Sequence, residues 1–262
     1  MSPARLIRAL DVLLKGTNTM KMLLRLALLL ILSTANNVYS QSRVLSKGDF
    51  KGLPQQYQSI DDPKANSFLQ QGLSYAIELY GEPRIPVRKV FLKYRPQGAL
   101  TNLTDSGDGI FTIFLSHKPN EYSFYGQLAH EVAHLLNAQI YDAYVEGLNT
   151  VFSEKLLKRT GKDWSRWEEY YRKNEAPFYA TTYFMMKEVS EVAGDRAMSN
   201  FLSYAKYNSE NSQRMYIDIE EWIDSLPREK RAKVRNVILK YASNVQKSMD
   251  GIHEEYTFIL PE

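Results

Sequence analysis

His130, Glu131 and His134 stand in the run Gln127-Leu128-Ala129-His130-Glu131-Val132-Ala133-His134-Leu135-Leu136. This H-E-x-x-H spacing constrains the chain more than any other feature, because it has a use only on a helix. At 3.6 residues per turn, positions 130 and 134 stack on one face. Two imidazoles placed there can grip one metal ion, and Glu131, one step round, can reach a water on that metal as general base. The chain has four histidines, and two are spent here. The flanking residues also favour a helix. Phe124, Leu128, Val132 and Leu135 recur at helical spacing and form an apolar stripe for the core. His130 and His134 sit beside that stripe, so they border a cleft. Ser116 or Asn120 is the expected cap, with Pro119 and Glu121 suited to the first turn.

Upstream, Gly109-Ile110-Phe111-Thr112-Ile113-Phe114-Leu115 is rich in β-branched and aromatic residues and reads as a strand. A strand leading directly into an H-E-x-x-H helix resembles the zincin metallopeptidases. The resemblance implies an edge strand beside the motif helix that holds a peptide substrate in extended form. It also implies zinc, which in catalytic sites takes three protein ligands plus a water. The third ligand must lie downstream. The metzincin branch would need a histidine where the chain has Ile140 and a glycine where it has Asn137, so that branch is excluded. The gluzincin branch takes a glutamate from the next helix. Glu146 and Glu154 are the candidates, with Asp142 an outsider.

Residues 137–141 read as a short turn, so the next helix should run back antiparallel. Level with the two histidines it then presents roughly residues 146–150, which favours Glu146. Glu154 faces a point more than a turn away. Val145-Glu146-Gly147-Leu148 also resembles the "EGL" segment of peptidase-MA-type gluzincins, in which the glutamate before the glycine is the ligand. Glu154 sits nearer the spacing of thermolysin-like enzymes, so both glutamates stay open.

Peptide hydrolysis also needs a donor to the oxyanion. The segment Pro177-Phe178-Tyr179-Ala180-Thr181-Thr182-Tyr183 begins a helix with proline in its first turn. It is similar to the gluzincin helix that carries a substrate-facing tyrosine near its start. Tyr179 matches best, with Tyr183 one turn on. Trp164, Trp167, Tyr170, Tyr171, Phe178 and Tyr183 form an aromatic cluster that suits either the core of a helical lobe or a wall of the cleft. His117 and His253 match no motif and read as surface residues.

The N-terminal part bears on location. Met20-Lys21-Met22 opens a positive region, residues 23–32 are apolar apart from Arg25, and Val38-Tyr39-Ser40 precedes Gln41. That is the layout of a secretory signal cleaved after Ser40, with residues 1–19 an upstream extension. The apolar run is short for a transmembrane helix, so no stable membrane anchor is expected after cleavage. The chain carries +3, and removing the +4 of residues 1–40 leaves −1. No basic patch stands out, so a nucleic-acid partner is not expected. With no cysteine, the core must hold the fold without disulfides.

The expected fold is α+β. A single zincin-like domain over residues 41–262 has a small mixed sheet and an active-site helix, followed by a helical C-terminal lobe. Further helices are read at residues 62–79, 164–173, 177–192, 195–207, 218–225 and 227–249, and a strand at residues 87–94. The functional expectation is an exported zinc metallopeptidase, periplasmic or secreted, acting on a peptide or protein. Its base is Glu131, its metal ligands are His130, His134 and Glu146, and its oxyanion donor is Tyr179. The alternatives are a non-catalytic zincin-like binding domain and a zinc hydrolase acting on a non-peptide amide.

Overall fold

The computed structural model describes residues 57–96, 98–103, 108–208, 214–250 and 256–262. The signal segment, its cleavage site, the extension before it and His253 lie outside the described residues. Those that are described form eight α-helices and two small sheets, an α+β architecture. Among them no helix is long and apolar enough to cross a membrane.

Helix α1 (Pro63–Tyr80) starts where Asp62 accepts the N–H groups of Lys64 and Ala65 at 2.7 and 3.2 Å. It stops at Gly81, whose φ of 89° favours glycine. Three strands follow: β1 (Lys89–Tyr94), β2 (Leu100–Leu103) and β3 (Ile110–Leu115). Their order is β1-β3-β2, with β1 parallel to β3 and β2 antiparallel to it. The sheet is therefore mixed. Strand β3 is buried without alternation from Phe111 to Leu115, because it lies in the middle of the sheet and is covered on both faces.

The chain then turns into α2 (Phe124–His134) and, after a short connection, α3 (Ala143–Arg159). Helix α3 packs against α2 and against α5 (Pro177–Ala193). It is buried almost all round, from Ala143 through Glu154, which is why its apolar residues form no single stripe. Gly147 permits the contact with α5. A Cβ there would overlap the Thr182 carbonyl and lie 2.7 Å from Met186 Cγ. Helix α4 (Ser165–Arg172) packs against α5, as does α8 (Arg228–Met249).

The C-terminal residues return to the start of α3. Thr257 N–H donates to the Tyr141 carbonyl at 2.8 Å, and Ala143 N–H donates to the Thr257 carbonyl at 2.9 Å. The Tyr144 hydroxyl donates to the Ile259 carbonyl at 2.7 Å.

Three expectations are corrected. The motif helix begins at Phe124, with Ser123 before it and no side-chain cap, so neither Ser116 nor Asn120 serves. Glu121 instead accepts from Lys118 N–H at 2.8 Å and pairs with His117 at 2.9 Å, closing a turn of its own. The strand that leads into α2 is central, and the edge strand that contacts α2 is β2. Finally, residues 195–207 are not one helix. Helix α6 (Asp195–Met198) gives way to a 3-10 turn (Phe201–Tyr204), then to strand β4 (Ala205–Tyr207). That strand pairs antiparallel with β5 (Met215–Ile217), ahead of α7 (Ile219–Ser225). Strands of three residues are too short to show a period in the sequence.

Candidate metal centre

Helical spacing brings the His130 and His134 rings to 5.1 Å of each other on one face of α2. Helix α3 runs back alongside and places the Glu146 carboxylate between them. One of its oxygens lies 3.1 Å from His130 Nε2 and the other 3.2 Å from His134 Nε2. These three residues are the group among the described residues whose ligand atoms lie close enough, all within 4.8 Å, to hold a metal ion. Glu146 is 2 % exposed.

Thr150, one turn along α3 from Glu146, orients the set. Its hydroxyl donates to the Glu146 carbonyl at 2.9 Å and lies 3.3 Å from His130 Nδ1. An Nδ1–H directed at that oxygen leaves the Nε2 lone pair of His130 facing the carboxylate. At these distances either a ring N–H or a metal cation stands between each imidazole nitrogen and the carboxylate. Burial opposes the charge on both partners, yet each overcomes it. Glu146 holds His134 above the usual histidine range, and the two imidazoles hold Glu146 well below the usual carboxylate range. The separations also suit a metal. Donors bonded at about 2.1 Å to one tetrahedral ion stand roughly 3–4 Å apart.

Glu131 is 4 % exposed and is not one of the three clustered ligands. The Thr101 hydroxyl of β2 lies 2.8 Å from its carboxylate and 2.8 Å from its backbone carbonyl. Burial raises its pKa, against the pull of the two histidines and the Thr101 bond. A carboxylate held this way is suited to taking up a proton.

Tyr179, in the first turn of α5, sits with its ring 6.0 Å from that of His130. Burial, Glu146 and Glu131 raise its pKa, so it stays protonated and is a hydrogen-bond donor. It is hydrogen-bonded to Tyr256, whose ring packs against Phe178 at 5.2 Å.

The other candidates are engaged elsewhere. Glu154 accepts from Lys158 at 2.6 Å, Lys187 at 2.9 Å and the Tyr183 hydroxyl at 2.8 Å. Tyr183 is thereby tied to Glu154, and it also accepts from the Trp164 indole at 3.3 Å. Asp142 caps α3, accepting from Tyr144 N–H at 2.7 Å and from Ile217 N–H at 3.1 Å. Burial pushes its pKa up to about 7. His117 lies at the surface, paired with Glu121.

Thr101, Thr150 and Tyr256 were not singled out in the sequence. Thr150 carried a signal, the i,i+4 spacing from Glu146 on the same helix face. Thr101 and Tyr256 carried none, since a strand threonine and one of 18 tyrosines are unremarkable. Comparison with known proteins identifies no relative: no family model, no curated protein and no solved structure matches the chain.

Proposed function

We propose that the chain is a zinc metallopeptidase of the zincin class, gluzincin branch. The observation that carries this reading is the convergence of His130, His134 and Glu146, with a buried carboxylate, Glu131, on the same helical turn. His130, His134 and Glu146 would hold the ion. Zinc bound there supplies Lewis-acid polarisation of a carbonyl and a lowered pKa for water.

The remaining chemistry belongs to the chain. Glu131, oriented by Thr101, accepts a proton from the attacking water and returns it to the leaving amine. Tyr179 donates a hydrogen bond to the oxyanion. Among the described residues β2 pairs on one side only, with β3, and it carries the residue that touches Glu131, so its other edge suits an extended peptide. Thr150 fixes the tautomer of His130.

Elemental analysis tests the reading. Chain purified without chelator is expected to carry about one zinc, and His134→Ala to lose it. Zinc content should also fall on acidification, because protons compete for both imidazoles. Wild-type protein free of any transition metal would overturn the proposal. We also propose that the chain is exported, on the signal-like layout of residues 20–40. Secreted material is then expected to begin at Gln41 or its cyclised form. Mass spectrometry that finds residues 20–40 intact on a membrane-bound product would replace cleavage with anchoring.

A further inference from the structure

Beside His130 and Glu131 opens a cavity of about 650 Å³. That size is typical of a ligand site. Its walls are aromatic, formed by Tyr122, Trp164, Trp167, Tyr170, Tyr171 and Tyr179. Helix α4 supplies three of them, Trp167, Tyr170 and Tyr171, and Trp164 stands at its start. Trp167 lies nearly parallel to Trp164 (6.2 Å, 20°) and to Tyr171 (5.9 Å, 28°). The wall is braced from behind, since the Trp164 indole donates to Tyr183, which donates to the buried Glu154.

Two local costs are concentrated at this wall. Gly126, one turn before His130 in the first turn of α2, is a poor helix former. A Cβ there would lie 2.6 and 2.8 Å from carbons of the Trp167 indole, so only glycine lets the ring seat against α2. The Trp167 indole N–H is also buried with no acceptor among the described residues. Local rules broken together, next to candidate catalytic groups, mark a functional surface. Charge is sparse in the lining. Apart from the motif residues and the tyrosines, the charged or ionisable groups are Arg166, lying over the Tyr122 ring at 4.7 Å, and His117, paired with Glu121.

We infer that this cavity is the specificity pocket of the site, and that it takes an aromatic side chain of the substrate, with Trp167 and Tyr170 as its determinants. The inference rests on the peptidase reading given above. Flat aromatic walls favour offset or edge-on contact with another ring.

The test is binding of acetyl-Gly-Gly-X-Gly-Gly-amide, with X as Phe, Ala or Asp, to zinc-loaded full-length Glu131→Gln protein, which keeps peptides intact. Because the flanking residues are all glycine, each peptide can shift until X meets the pocket. The Phe peptide is expected to bind about tenfold more tightly than the Ala peptide, the gain from burying a ring in place of a methyl. Trp167→Ala and Tyr170→Ala should each bring the Phe/Ala ratio close to one, with zinc content as in the parent. If either variant fails to fold, the ratio in the parent and in the other variant decides. Equal binding of the three peptides, or a preference for Ala or Asp, would overturn the pocket. Casein cleavage by the wild type, measured in parallel, reports on the peptidase reading alone. Cleavage without aromatic preference sinks the pocket and leaves the peptidase. Casein left intact together with no peptide bound sinks both.

Discussion

Glu131→Gln is expected to abolish most hydrolysis of an unstructured protein such as casein while zinc content and melting temperature stay near wild type. The substitution keeps size and hydrogen-bonding reach, and the new amide oxygen can still accept from Thr101, which lies 2.8 Å from the carboxylate. Basicity is what disappears. General-base contributions run to about 10²- to 10⁴-fold, so the rate should fall by that order. Tyr179→Phe should cost less, because it removes one oxyanion donor and leaves proton transfer intact. The pH profile adds a second readout. The base works only when ionised, and burial holds Glu131 above the ordinary carboxylate range. Wild-type activity should therefore drop as pH falls through that raised value. Full activity in Glu131→Gln would show that another group takes the proton, and the mechanism would have to be abandoned.

The second large effect separates the two glutamates of α3. Glu146→Gln is expected to weaken zinc binding by more than about 100-fold, beyond the 10- to 100-fold range seen for outer-shell partners. A neutral amide is a poor ligand for the dication, and it cannot balance the two imidazoles that face it at 3.1 and 3.2 Å. Glu154→Gln should leave zinc affinity unchanged and lower stability instead. Its carboxylate is the shared acceptor of Lys158, Lys187 and Tyr183. Weakening charged hydrogen bonds of this kind costs on the order of 1–3 kcal/mol. Competition with a chelator dye and thermal melting, run on both variants, make the comparison. Reversed effects would mean that Glu154 is the ligand and that the antiparallel register of α2 and α3 is not the one the metal sees.

What the amino-acid sequence determined by itself was local. The i,i+4 spacing of His130 and His134 puts both rings on one face wherever a helix forms, because helix geometry is set by the backbone. A short connection between two helices forces them antiparallel, which carries Glu146 level with the histidines and Glu154 past them. The long helices and the strand that became β3 were legible for the same reason. Each is a period or a hydrogen-bonding pattern of near neighbours.

The tertiary structure alone decided the contacts between residues far apart in the chain. Thr101 meets Glu131 across thirty positions because β2, not β3, takes the edge of the sheet beside α2. The packing of α5 on α3, permitted at Gly147, placed Tyr179 beside His130 and sent Tyr183 to Glu154, although the two tyrosines are one turn apart. Strands β4 and β5 exist only as each other's partner, since three residues carry no period of their own. Tyr256 reaches Tyr179 because the C-terminal residues return to the start of α3. Such pairings depend on which surfaces the whole chain can bury together, and no window of neighbouring residues contains that information.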